Sequence, residues 1–176
     1  MAQPAPAFEI DRGRIRLGDR VFVYLERMLV PPEPLPPEVA PRPHGVAPTA
    51  ALPAGGVVAA VGPGEAVWLG FQPVEPARAV VVRVRVDGPE PLDAVTGEPW
   101  DEGLAEEPRN YLRCPPDYRL PGRTFAVGER ASVLSYGAPP VVASFELVPL
   151  EEFTSLTGIA AKPLDPESAY KGWRLP

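Results

Sequence analysis

The run Ala79-Val-Val-Val-Arg-Val-Arg-Val-Asp87 puts Val80, Val82, Val84 and Val86 on one face of an extended chain and Val81, Arg83 and Arg85 on the other. One apolar face and one mixed face predict a half-buried strand in an antiparallel sheet. Upstream, Val57–Val61 is short and wholly apolar, Gly62-Pro63-Gly64 turns the chain, and Ala66–Phe71 resumes as a strand before a Pro-bearing turn over 72–78. Downstream, Tyr111–Cys114, Thr124–Val127, Ala131–Tyr136 and Val141–Val148 are further predicted strands, separated by Gly- and Pro-rich turns. Near the start, Arg14-Ile-Arg-Leu17, the turn residues Gly18-Asp19 and Val21-Phe-Val-Tyr-Leu25 predict a hairpin. A helix over 21–29 competes with it, and the β-branched and aromatic content decides for strand.

Between hairpin and first apolar strand, Pro stands at 31, 32, 34, 36, 37, 41, 43, 48 and 53. No helix or central strand tolerates that density. Segment 31–56 therefore reads as a Pro-rich strap over a surface or as a linker, and Val39, Val46 and Leu52 favour the strap. A ligand for an SH3-like partner is a narrower alternative that any Pro-rich run offers by chance. At the other end, Pro149-Leu-Glu-Glu-Phe-Thr-Ser-Leu-Thr-Gly158 has Pro at the start, acids in the first turn and Gly after the last, as a short helix requires. Asp165-Pro166-Glu167 predicts a second helical turn, with Tyr170 and Trp173 pinning the tail. The predicted fold is mostly β: a single-domain antiparallel β-sandwich or barrel over 8–176, with a loose tail over 1–7, the strap and short C-terminal helices.

The chain has 176 residues, of which 27 are Pro and 16 are Gly, so long helices are excluded. Its net charge of -6 argues against nucleic acid, whose binding needs a basic field. No apolar run approaches 18 residues, so no membrane span is expected. The first residues lack the basic and apolar regions of a secretion signal, and the one cysteine, Cys114, cannot form an internal disulfide. The expected location is the cytoplasm. Arg outnumbers Lys by 15 to 2, and the amide residues are only Gln3, Gln72 and Asn110. This composition reads as thermophilic, although a GC-rich genome produces a similar bias.

Few chemistries fit. Asp87, Glu90, Asp93, Glu98, Asp101, Glu102, Glu106 and Glu107 form an acidic loop over 88–110 without calcium-loop spacing, and a solvated loop with no metal is expected. Glu98 and Asp101 flank Trp100, the arrangement a carboxylate-based hydrolase needs beside an aromatic sugar contact. Surface acids beside a packing Trp are the simpler reading. A nucleophilic triad would have to use His44, the one histidine, and Cys114 has no local group to activate it. No phosphate-binding glycine loop and no zinc spacing occur, so no cofactor is expected. Arg14, Arg16, Arg83 and Arg85 could line one face if their strands were neighbours; pairing with acids across strands is preferred. Trp68 reads as core, whereas Trp100, with Asp93 and Arg109, is the candidate for ligand binding.

Several strings recur together: Trp68-Leu-Gly-Phe71, Asp93-Ala-Val-Thr-Gly-Glu-Pro99, Asn110-Tyr111, Pro115-Pro116, Leu120-Pro-Gly122 and Leu156-Thr-Gly158. In these the chain resembles a family of small bacterial and fungal proteins with no established activity. Where that family shows Trp-Leu-Asp-Gly, this chain has Arg119-Leu-Pro-Gly122. The resemblance implies that residues 93–122 are a characteristic loop.

The function expected from these readings is a non-catalytic binding or interaction module that uses the 88–122 loop region. Its partner would be a protein or a small ligand, and a homo-oligomer is compatible with it. A structural or assembly component acting through the strap, and a hydrolase using Glu98 and Asp101, are the alternatives.

Overall fold

The computed structural model describes residues 8–30, 33, 36, 38 and 43–165. The expected tail over 1–7, the helical turn resting on residues 166 and 167, the anchoring by Tyr170 and Trp173, and most of 31–42 lie outside the described residues. In chain order the described elements are β1 (Phe8–Asp11), β2 (Arg14–Leu17), β3 (Val21–Leu29), β4 (Thr49–Ala51), β5 (Val57–Val61), β6 (Glu65–Pro73), β7 (Val80–Asp87), β8 (Leu92–Asp93), β9 (Leu112–Cys114), β10 (Arg130–Ser135), β11 (Val141–Pro149) and α1 (Leu150–Thr157).

The strands form two sheets. The first runs β1-β2-β3-β6 and is antiparallel throughout. The second runs β4-β5-β11-β10-β7-β8, with β9 also on β7, and its β5–β11 pair is parallel. Neither sheet closes on itself, so the barrel considered from sequence does not form. The parallel pair was also not foreseen, because β5 and β11 are far apart in the chain.

Alternation explains the interior. Val21, Val23 and Leu25 of β3 and Val67, Leu69 and Phe71 of β6 point inward from the first sheet. Val80, Val82 and Val84 of β7, Ala131 and Val133 of β10, and Phe145 and Leu147 of β11 come from the second. All belong to one apolar cluster. Phe125 and Phe145 meet edge to face in it, with centroids 5.6 Å apart, the arrangement their ring quadrupoles favour. The wholly apolar β5 is buried on both faces, since Val58 and Ala60 pack with Val148 of β11 and Phe153 of α1 in a second, smaller cluster. α1 starts after Pro149, carries Glu151 and Glu152 in its first turn and ends at Gly158 with φ 72°, as its sequence required.

Three local readings need correction. Thr124–Val127 is not a strand: only Phe125 bridges to Val67, and Glu129 N–H then bonds the Ala126 carbonyl to turn the chain. β1 was missed, because four residues carry too little periodicity to stand out. It pairs with β2 across Arg12 and Gly13, whose φ values of 50° and 80° suit the tight turn of a two-residue hairpin. Within the Pro-rich segment, β4 forms after Pro48 at the edge of its sheet, the one sheet position such a sequence tolerates. Residues 43–51 pair with both sheets: Ala47 N–H donates to the Leu25 carbonyl and Ala60 N–H to the Pro48 carbonyl. Among the described residues, no helix is long and apolar enough to cross a membrane.

Candidate functional site

The acidic loop folds around one side chain. Arg83 leaves β7 away from the main core and is completely buried. Its Nη2 and Nε donate to Asp93 Oδ2 at 2.7 and 3.2 Å. Nη1 donates to the carbonyls of Asp101 and Gly103 at 2.6 and 2.7 Å, and Nε also reaches the Asn110 carbonyl. The second carboxylate oxygen of Asp93 accepts the N–H groups of Val95 and Thr96. Asn110 closes the other end, donating to Gly103 O and accepting from Ala105 N–H. A buried charge needs this density of partners to offset its desolvation, and the guanidinium's five donors can supply it.

Within that loop the sequence-predicted residues take separate positions. Trp100 lies with its ring 3.9 Å from the Arg83 guanidinium carbon, and its Nε1 donates to Glu102. One face of the indole is therefore taken by the protein's own cation. Asp93 is buried and spent on Arg83, Val95 and Thr96. Glu98 is exposed, and Asp101, also exposed, accepts Gly103 N–H through its carboxylate. Arg109 pairs with Asp117 at 3.1 Å and lies over the Tyr111 ring. It lines a surface depression of about 400 Å³ with Leu112, Pro116, Tyr118 and Arg119. Glu98, Trp100 and Asp101 do not line it.

The four arginines do not share a face. β2 and β7 belong to different sheets, so Arg14 and Arg16 are separated from Arg83 and Arg85. Arg14 pairs with Asp11 and Arg16 with Glu9, each directly across the β1–β2 ladder. The preferred cross-strand pairing is what forms there. Arg85 instead pairs with Asp87 on its own strand, at 2.7 Å.

A second depression lies on a different face. On the outer side of the first sheet, β3 presents Tyr24 and Glu26, and β6 presents Trp68, Gly70 and Gln72. Tyr24 stands opposite Gly70, and Glu26 opposite Trp68. Tyr118 closes the rim: Phe71 N–H donates to its carbonyl at 2.8 Å, and Leu120 N–H to Leu69 O at 2.9 Å. Together these side chains line a shallow, open depression of about 360 Å³. Gly70 is needed for space: a Cβ there would sit 3.1 Å from Cζ3 of Trp68 and 3.6 Å from Cβ of Tyr24. Its missing side chain lets the indole lie across the floor.

The polar groups of this depression differ in how far they are satisfied. Tyr24 OH donates to Gln72 Oε1 and accepts from Arg14 Nη1 at 3.4 Å. Trp68 Nε1 is buried without an acceptor among the described residues. Glu26 is half-buried, and its carboxylate has no hydrogen-bond or ion-pair partner among the described residues. Burial pushes its pKa upward, and among the described residues no neighbouring cation offsets the lost solvation. Trp68, expected in the core, is thus only partly buried, on the outer face, while Leu69 and Phe71 turn inward. Neither the outward set Phe22, Tyr24, Glu26 nor its pairing with Trp68, Gly70 and Gln72 was read from the sequence.

Other reactive groups are shielded. Cys114 of β9, beside β7 in the sheet, is buried in the main core, and burial together with Asp117 pushes its thiol up to about 11, away from the thiolate. Among the described residues no three His, Cys, Asp or Glu side chains gather as a metal site. No family model, no curated protein and no solved structure matches this chain.

Proposed function

We propose that this chain is a non-catalytic binding module that takes a small ligand in the depression between Tyr24, Trp68 and Tyr118. The observation that carries this reading is Glu26: a half-buried carboxylate without a partner among the described residues, on a lining shared with three aromatic rings. An unpaired polar group in such a place costs stability, and a concave aromatic site with a few converging polar groups is the usual form of a ligand pocket. The 88–122 loop region contributes Tyr118 to the rim, while the part around Arg83 supplies a rigid support. In this reading the two sheets stack as a sandwich, and the chain works in the cytoplasm on neither nucleic acid nor membrane. Its acidity and the absence of a membrane-crossing helix among the described residues support that placement. The pairing of 43–51 with β3 and β5 supports an internal role for that part of the strap, rather than assembly with a neighbour.

The test is thermal unfolding, followed by tryptophan fluorescence, against a panel of small polar compounds. A ligand present at about 100 times its Kd adds roughly 2.7 kcal/mol to stability. We expect a stabilising shift that Tyr118→Ala and Trp68→Ala abolish and Trp100→Ala retains. A shift lost in Trp100→Ala or Asp101→Asn alone would move the site to the acidic loop. A panel that produces no shift would overturn the small-ligand reading.

A further inference from the structure

We propose that the group bound in this depression is an organic cation, an alkylammonium or guanidinium head, seated against Glu26 and the rings of Tyr24, Trp68 and Tyr118. This rests on the reading of the depression as a ligand site.

Three observations point to a cation rather than to a neutral or anionic ligand. The first is charge. Glu26 is the carboxylate on the depression's lining and has no partner among the described residues. Burial disfavours its ionised form, and a bound cation would restore that form by supplying the missing counter-charge. An anion placed there would meet like charge.

The second is the behaviour of the same sheet face one strand over. The Arg14 guanidinium lies 4.1 Å from the Phe22 ring centroid and 5.9 Å from that of Tyr24, and Arg16 lies 6.0 Å from Phe22. The rings of this face therefore already take cations from the protein itself. A cation over an aromatic ring is held by the ring's quadrupole, most strongly over Trp and most strongly when water is excluded. Trp68 offers such a ring at the floor.

The third is the shortage of hydrogen-bonding groups that a sugar would need. Tyr24 OH and Gln72 Oε1 are bonded to each other, and the Trp68 N–H is buried. That leaves Glu26 and the Gln72 amide N–H groups to meet a ring of hydroxyls. A compact cation with an apolar skin needs only rings and one carboxylate. The net charge of -6 adds a long-range field of the right sign.

The test is calorimetric titration of the full chain with four probes: choline, arginine, the neutral choline isostere 3,3-dimethyl-1-butanol, and glucose. We expect choline or arginine to bind, with the neutral isostere weaker by about tenfold or more. Glu26→Gln, which keeps shape and removes charge, should cost a similar factor for the cation and leave the isostere unchanged. Tyr118→Ala, an exposed position whose loss the fold tolerates, should weaken every bound probe. Binding of glucose or of the isostere in preference to either cation, with loss in Tyr118→Ala, would overturn the cation and leave the site standing. Cation binding indifferent to both Glu26→Gln and Tyr118→Ala would overturn the cation proposal and the site together, as would no binding of any probe.

Discussion

Arg83 and Glu26 show two outcomes for a charge brought out of water. Arg83 is fully buried, and Asp93, three backbone carbonyls and the Trp100 ring surround it. Removing its carboxylate partner leaves the guanidinium uncompensated, so Asp93→Ala should cost about 3–5 kcal/mol. In a chain of this size that lowers Tm by at least about 6 °C, measurable by calorimetry. Glu98→Ala, on the exposed part of the same loop, should stay within about 0.5 kcal/mol. Glu26 behaves in the opposite sense. Its pKa is raised on folding, so its contribution favours the folded state below the unfolded pKa and is lost as pH rises through the folded one. Glu26→Gln should therefore raise Tm slightly at neutral pH, and the gain should vanish below about pH 4. Melting curves of the two proteins across pH check this; an equal Tm at all pH values would mean that Glu26 carries no cost. Cys114, with its thiol at about 11 and its side chain buried, should label with a thiol reagent at neutral pH only as fast as the chain opens.

Among the elements, α1 separates local from packing energetics. Gly158 ends the helix at φ 72° with nothing near the position of an added Cβ. Gly158→Ala thus meets only the conformational cost of the left-handed region, about 1 kcal/mol. Phe153 is the helix's one buried side chain and joins Val58, Ala60 and Val148. Phe153→Ala should cost about 3–5 kcal/mol. Urea unfolding of both variants checks the contrast, and similar losses would mean that the helix is held by its cap rather than by its face. The same contrast governs the strands. β5 is apolar at every position because the core lies on one side and α1 on the other, whereas β3 alternates between buried and partly exposed positions because one side faces solvent. The outward set of β3 and β6 is the set that forms the depression.

For the whole molecule, the shared core predicts joint unfolding. Inward residues of both sheets form one cluster, so neither sheet can open without exposing the other's apolar face. The molecule carries its own reporters, because Trp68 sits on the first sheet and Trp100 over the second. Fluorescence of variants lacking one or the other should give coincident transitions, each coincident with loss of circular dichroism. A Trp100 signal that changes at lower temperature than the Trp68 signal would show that the acidic loop opens as a separate unit.

Alternation along β2 and β7, the strand character of β3, β5, β6, β10 and β11, the turn at Gly18-Asp19, and the helix between Pro149 and Gly158 were all legible in the sequence, because each depends on residues within a few positions of one another. So were the exclusion of long helices by Pro and the mostly β class that the alternation implied. The string Asp93-Ala-Val-Thr-Gly97 was recognisable as a loop, and its turn through the Asp93 carboxylate is local as well. Which strands become neighbours was not legible. β5 beside β11, β2 apart from β7, and β3 beside β6 follow from how two sheets share one interior, a choice made over the whole chain. That choice turned Arg83 from a surface charge into the centre of a loop, and moved Trp68 from expected core to the floor of a depression. A residue's face follows from local periodicity, but what stands opposite that face is decided only when distant segments pair and bury their apolar sides together.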